Sequence, residues 1–163
     1  MSTYRLGQDS GILRPQGLDE TRQLDRLLTC EVRRELLLLS ADLEPERFND
    51  ADWLEDLSRA LRERQVLLHV LLAADSASVH SRHGLLGLAR RLPSCIKIRK
   101  RARADLAADE SWFIADRLGL IRRLDGQIYA DMRSITTAPQ CSEIFMQWFE
   151  HAQDLPELRT LPL

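Results

Sequence analysis

Two short apolar runs, Leu36-Leu37-Leu38-Leu39 and Val66-Leu67-Leu68-His69-Val70-Leu71-Leu72, constrain the fold more than any other feature of the chain. Each is too short for a core helix between its flanks. Each is also apolar without alternation, the pattern of a strand covered on both faces. Leucine favours helix over strand by propensity alone, so burial has to decide. Around the runs the apolar residues change to a helical period. Leu24, Leu27, Leu28 and Val32 share one face of a helix beginning near Leu18, with Asp19, Glu20 and Asp25 toward its positive amino end. Glu44-Pro45-Glu46 reads as an irregular link. Asn49 or Asp50 can then cap a helix that carries Trp53, Leu54, Leu57, Ala60 and Leu61 on one face.

Ser76 or Ser78 can cap a turn into a third helix from about Gly84 to Arg91, where Leu85, Leu88 and Leu92 share a face and Pro93 stops it. Cys95, Ile96 and Ile98 suggest a third strand. Trp112 to Asp116, Leu120-Ile121 and Gln127 to Ala130 read as further strands, with turns at Arg117 to Gly119 and at Asp125-Gly126. A final helix carries Ile144, Phe145, Trp148, Phe149 and Ala152, and Thr137-Ala138-Pro139-Gln140 ahead of it has capping-box spacing. This alternation predicts an α/β fold: a mostly parallel or mixed sheet flanked by helices. Residues 1–17 read as an extended leader or short edge strand, and residues 18–163 as a single α/β domain. At 163 residues and 44% hydrophobic composition the chain can bury one core.

Composition excludes more functions than it supports. A formal net charge of -2 gives no global attraction to nucleic acid, so any such site must be local. Met1 to Gly7 carry no apolar run of the secretory kind, and no apolar stretch approaches the roughly 20 residues of a membrane span. The cytoplasm is the expected address. Cys30, Cys95 and Cys141 are odd in number and far apart, which predicts buried reduced thiols rather than disulfides or metal pairs. There is no phosphate loop, dinucleotide fingerprint, nucleophile elbow or deaminase signature, and no cofactor is expected.

Several groupings carry chemistry together with a plainer structural reading. Lys97-Ile98-Arg99-Lys100-Arg101-Ala102-Arg103 has five basic side chains in seven, enough to neutralise several phosphates, with Arg90 and Arg91 as further contributors. No aromatic residue is interleaved to stack a base, and a charged strand edge accounts for the same run. Asp42 to Asp56 holds seven acids against Arg47 alone, a solvated acidic face or a complement to the basic run in a second protomer. Asp42 and Asp75, at strand ends, could hold a divalent cation, or serve only as turn and capping residues. His80-Ser81-Arg82-His83 has two imidazoles at metal-ligand spacing, but a solvated loop explains it as well. His69, inside an apolar strand, reads as a hydrogen-bonded structural histidine. Gly84-Leu85-Leu86-Gly87 has the spacing of an RNA-binding loop, although its leucines look like helix core.

The order strand, helix, strand, helix, strand, hairpin, helix resembles one half of a phospholipase D-like domain over roughly residues 20–152. Catalytic members carry His-x-Lys-x4-Asp on that hairpin. Here the matching spacing runs Asp109-Glu110-Ser111-Trp112-Phe113-Ile114-Ala115-Asp116, with Asp109 for the histidine, Ser111 for the lysine and only Asp116 retained. The chain is also similar to a bacterial family of such degenerate domains, some of them appended to GNAT-type acetyltransferases. The shared text is Glu35 to Leu43, Leu85 to Leu92 and Phe113 to Asp116. The resemblance implies a pseudoenzyme, and a homodimer, because catalytic relatives place two halves face to face. The expected function is a non-catalytic binding or adaptor domain with a protein partner. Phosphate or nucleic-acid binding through the basic segment, and a divergent metal-dependent enzyme, are the alternatives.

Overall fold

The computed structural model describes residues 4–8, 10–73, 82–101 and 110–155. Both apolar runs are strands, β1 (Glu35–Ser40) and β2 (Leu67–Leu72), and every residue of Leu36 to Leu39 is buried. They join β3 (Ile96–Lys100), β4 (Ser111–Ala115), β5 (Gly119–Leu124), β6 (Gln127–Asp131) and the two-residue β7 (Gln153–Asp154) in one sheet of order β6-β5-β4-β1-β2-β3-β7. Among the described residues only the β1–β2 and β2–β3 pairings are parallel. The sheet is therefore mixed rather than mostly parallel, because β4 returns beside β1 antiparallel and the hairpins β4–β5 and β5–β6 extend that half.

Alternate side chains of the central strands enter two cores. Leu36, Leu38, Leu68, Val70 and Phe113 meet α1 (Leu18–Glu31), α2 (Pro45–Phe48), α3 (Ala51–Glu63) and α4 (Gly84–Arg91) on one face. Leu37, Leu39, Leu71, Trp112 and Ile114 meet α5 (Thr137–Glu150) on the other. Phe48, Trp53 and Phe113 contact one another edge to face in the larger core.

Local chemistry differs from the sequence expectation at several places. Glu44-Pro45-Glu46 does not interrupt regular structure: Pro45 opens α2, since proline lacks only an N–H that the first turn leaves unused. Asp50 caps α3 by accepting from the Trp53 N–H, while Asn49 accepts from Gly84 N–H at 2.7 Å. The capping-box residues do not cap α5. Ser134 does so from upstream, its Oγ accepting from Ala138 N–H at 2.9 Å. Cys30 is exposed and Cys95 half-buried, so only Cys141 is the expected buried thiol.

The β4–β5 turn has its corner at Asp116-Arg117, with both φ values positive at 53° and 58°. Asp125-Gly126 likewise shows φ of 52° and 78°. Paired positive φ angles match the right-handed twist of a hairpin. Glycine adopts them without strain, whereas Arg117 needs compensation. It comes from the Arg117–Glu35 ion pair at 2.7 Å and from Asp116, whose carboxylate accepts the backbone N–H groups of Arg33, Arg34 and Glu35.

Candidate functional site

The carboxyl ends of β1, β2 and β3 lie along one edge of the sheet, where open α/β sheets tend to bind ligands. Because β4 runs antiparallel to β1, with Leu39 opposite Trp112 and Leu36 opposite Ala115, the start of β4 reaches that same edge. Ser111 is therefore at the strand-end edge. Asp116 is five residues along an extended strand, about 16 Å away at the opposite end. Asp109 lies outside the described residues. The motif positions Ser111 and Asp116 thus do not meet, and the Asp116 carboxylate accepts from the backbone N–H groups of Arg33, Arg34 and Glu35.

Ser111 shares a sheet face with Phe113 and pairs across to Arg123 on β5. Its residue is 1% exposed and its Oγ has no hydrogen-bond partner. Arg123, which pairs with Ser111 across the strands, belongs to a buried ionic network. Arg47 donates to both oxygens of Asp25, at 2.6 and 2.9 Å, and to Glu44 at 3.3 Å, while Glu44 also pairs with Arg123. Burial pushes the Asp25 carboxyl above its ordinary value against the opposing pull of Arg47. Two acids and two guanidinium groups leave this network neutral, so each charge is satisfied by the protein itself. The stretch read as a solvated acidic face is one in part: Asp42, Glu46, Asp52 and Glu55 are exposed, whereas Glu44 is buried here and Asp56 is buried against Arg26 and Arg59.

Across the sheet, at the same edge, Glu110 accepts from Trp112 Nε1 at 3.0 Å and from Arg122 at 2.9 Å. Trp112 stacks on Trp148 at 5.6 Å, and the Arg101 guanidinium lies 3.9 Å from the Trp148 ring centre. Arg99 lies over Phe149, donates to the Phe149 carbonyl at 2.8 Å and pairs with Asp154. The basic run is therefore divided. Arg99 and Arg101 are engaged by α5 and β7, Lys97 is exposed, Lys100 is half-buried, and Arg103 lies outside the described residues. β3 is not an open edge along its whole length, because β7 pairs with Arg99 and Lys100. Arg90 and Arg91 belong to a different layer, on α4.

The remaining candidates resolve locally. Asp42 is exposed and accepts from Glu44 N–H at 3.2 Å, a turn interaction, while Asp75 lies outside the described residues. Among the described residues no group of three or more His, Cys, Asp or Glu could hold a metal ion. His80 and Ser81 lie outside them. His83 is not in a solvated loop: it is 4% exposed, its Nδ1 accepts from Leu85 N–H, and its Nε2 lies 2.9 Å from the Leu43 carbonyl. Burial pushes its pKa down against that carbonyl's pull. His69 lacks the expected hydrogen bond at Nδ1 and instead packs edge-on against Phe149 at 5.0 Å. Ser76 and Ser78 lie outside the described residues. No helix among those residues is long and apolar enough to cross a membrane.

Sequence reasoning missed the Asp25–Arg47–Glu44–Arg123 network, β7 and the Trp112–Trp148 stack. Glu44 and Arg47, three apart, carried a readable signal of pairing on a short helix. Nothing local in the sequence indicates the long-range partners Asp25 and Arg123.

The sheet order, the two unequal helical layers and the position of the hairpin define a phospholipase D-like fold. Nuc, a phospholipase D family member from Salmonella typhimurium, superposes with a TM-score of 0.65 at 11% identity, over 90% of this chain and 99% of its own. NucT from Helicobacter pylori gives 0.65 at 8% identity, over 90% and 98%. The archaeal chromatin protein TrmBL2, described by its mode of DNA binding, gives 0.66 at 14% identity over 95% of this chain, which spans only 57% of TrmBL2. The chain belongs to the family described as a domain of unknown function (DUF7931), which matches residues 18–161. No curated protein matches it by sequence.

Proposed function

We propose that this chain is a non-catalytic binding domain that retains a phospholipase D-like fold without the hydrolytic chemistry of that fold. The observation that carries the reading is the chemistry at the motif positions. Ser111 has a buried hydroxyl with no base bonded to it, and a serine so placed is a poor nucleophile at neutral pH. Asp116 holds backbone at the far end of β4. Asp109, where the resemblance puts histidine, would repel a phosphate if ionised. The nearby cations Arg47 and Arg123 are matched by Asp25 and Glu44.

The adaptor role implies a protein partner, and the resemblance to domains appended to GNAT-type acetyltransferases suggests what kind to try first. The same resemblance supports pairing of two copies, an isologous arrangement common among soluble chains. The test of the central reading is hydrolysis of bis(p-nitrophenyl) phosphate, with and without magnesium, manganese or zinc. No turnover above buffer is expected under any condition. Turnover that disappears in Ser111→Ala, with the melting temperature not lowered, would defeat the reading.

A further inference from the structure

We propose that the outer edge of β6 is the docking site for a protein partner, which adds an extended segment to the sheet there in place of residues 11–15 of this chain. The inference rests on the reading of the chain as a binding domain and adds the place and the kind of partner.

β6 ends the sheet, and a terminal strand keeps one row of backbone groups that its neighbour cannot satisfy. Here that row is partly used. Ala130 exchanges both backbone hydrogen bonds with Leu13, each at 2.8 Å, in an isolated antiparallel bridge. The backbone groups of Ala130 therefore point away from β5, and by the two-residue period of a strand so do those of Ile128. The outward N–H and C=O of Ile128 have no partner among the described residues.

The sequence of the leader explains why the pairing stops. Continued by two residues, the antiparallel register sets Pro15 opposite Ile128, and proline has no N–H for the Ile128 carbonyl. Continued the other way it sets Gly11 opposite Met132, but Gly11 has φ of 120° and the Met132 carbonyl accepts from Gly7 N–H instead, at 2.7 Å. Such devices guard an edge strand against chance pairing. Guarding alone does not account for the space beside the leader. Pro15, Leu18, Thr21 and Ile128 help line a cavity of about 460 Å³, and Leu18 is 41% exposed. A Cβ at Gly11 or Gly17 would meet nothing within 4 Å. Among the described residues the Leu13 bridge is the one backbone link between residues 11–15 and the sheet. Glu31 anchors the leader before them, through Arg5 and the Leu6 N–H, and Glu20 anchors it after them, through the Gln16 N–H. Residues 11–15 can thus lift without freeing the rest.

The edge also specifies its occupant. Bonds at Ile128, Ala130 and Met132 require a continuous backbone, so the occupant is an extended polypeptide. Paired residues share a face of the sheet, and Ile128 and Ala130 face the larger core, against which Leu13 now packs. The added segment therefore needs aliphatic side chains opposite Ala130 and Ile128, the second entering the cavity beside Leu18, and no proline opposite Ile128.

The experiment is residue-resolved amide exchange by nuclear magnetic resonance on the full chain carrying Leu13→Ala, which loosens the leader. The probe is a synthetic peptide of residues 10–17 carrying Pro15→Val. Saturable binding that slows exchange at Ile128 is expected. It should be about fivefold tighter than binding of the same peptide with Pro15 kept, because one more donor reaches the Ile128 carbonyl. Ile128→Pro in the full chain removes the outward N–H without touching the bonds to β5 and should abolish binding, while Ile128→Val should retain it. Melting and far-ultraviolet dichroism check that each variant is folded. If Ile128→Pro does not fold, a peptide with Leu13→Asp decides, since it should not bind. No binding at about 1 mM peptide, equal affinity in folded Ile128→Pro, protection away from β6, or undiminished binding of the Leu13→Asp peptide would each overturn the proposal. So would dimerisation of the Leu13→Ala chain that excludes the peptide, because a second copy would then fill the edge. None of these outcomes bears on hydrolysis, so the non-catalytic reading stands or falls separately.

Discussion

Asp116 shows what a single side chain can do for a fold. Its carboxylate accepts three backbone N–H groups, at 2.8, 2.8 and 3.1 Å, at the junction between α1 and β1. Hydrogen bonds to a carboxylate are stronger than neutral ones, but water can reach the exposed Arg33 and Arg34 donors once the acceptor is removed. Asp116→Ala should therefore cost about 1 to 2 kcal/mol, read from urea denaturation. A loss within about 0.5 kcal/mol, typical of an ordinary surface position, would show that the clamp is not needed. Ser111 presents the converse case, a buried hydroxyl with no partner, and such a group lowers stability where it sits.

At the scale of elements, α4 depends on a histidine for its start. His83 Nδ1 accepts from Leu85 N–H, and this requires the ring to be neutral, with its proton on Nε2 facing the Leu43 carbonyl. Burial holds the His83 pKa below the usual 6.5. The unfolded chain therefore takes up a proton first as pH falls, and stability declines below about 6.5. His69, whose pKa burial also lowers, acts in the same direction. His83→Asn keeps a capping acceptor and removes the titration. Its urea midpoint should fall less between pH 7 and pH 5.5 than that of the parent chain, a range above most carboxylate titration. His69→Gln, measured alongside, separates the second histidine. An unchanged pH dependence in His83→Asn would refute the assignment.

Much of this level was legible in advance, and the reasons for the exceptions are physical. The leucine run and the helical stripes encode burial along the chain, so β1, β2, α1, α3, α4 and α5 could be read from periodicity. The two residues of β7 are held by long-range pairing with β3, which leaves no local pattern. The candidate site was less legible, because charged residues alone do not reveal their partners. Lys97 to Arg103 looked like one basic patch. Strand alternation and the aromatic residues of α5, about fifty positions away in sequence, separate its members.

At the scale of the molecule, the two faces of the sheet are unequally covered, by α1 to α4 on one side and α5 on the other. The proposed pairing of two copies is tested by light scattering after size exclusion across a range of concentrations. A mass of two chains that dissociates on dilution is expected. A mass of one chain at the highest concentration would rule the pairing out and leave a domain whose partner is a different protein.

The clamp at Asp116 also acts as a ruler. Its own N–H bonds to the Glu35 carbonyl at 2.9 Å while its carboxylate holds Glu35 N–H, so one residue fixes the start of β1 against the end of β4. A slip of a single position would turn Leu36 and Leu38 out of one core and Leu37 and Leu39 out of the other. In a strand of four leucines, hydrophobicity cannot distinguish the two alignments, because both faces read alike. The aspartate supplies the missing distinction, and it would do so equally well in a chain that had never cleaved a phosphodiester.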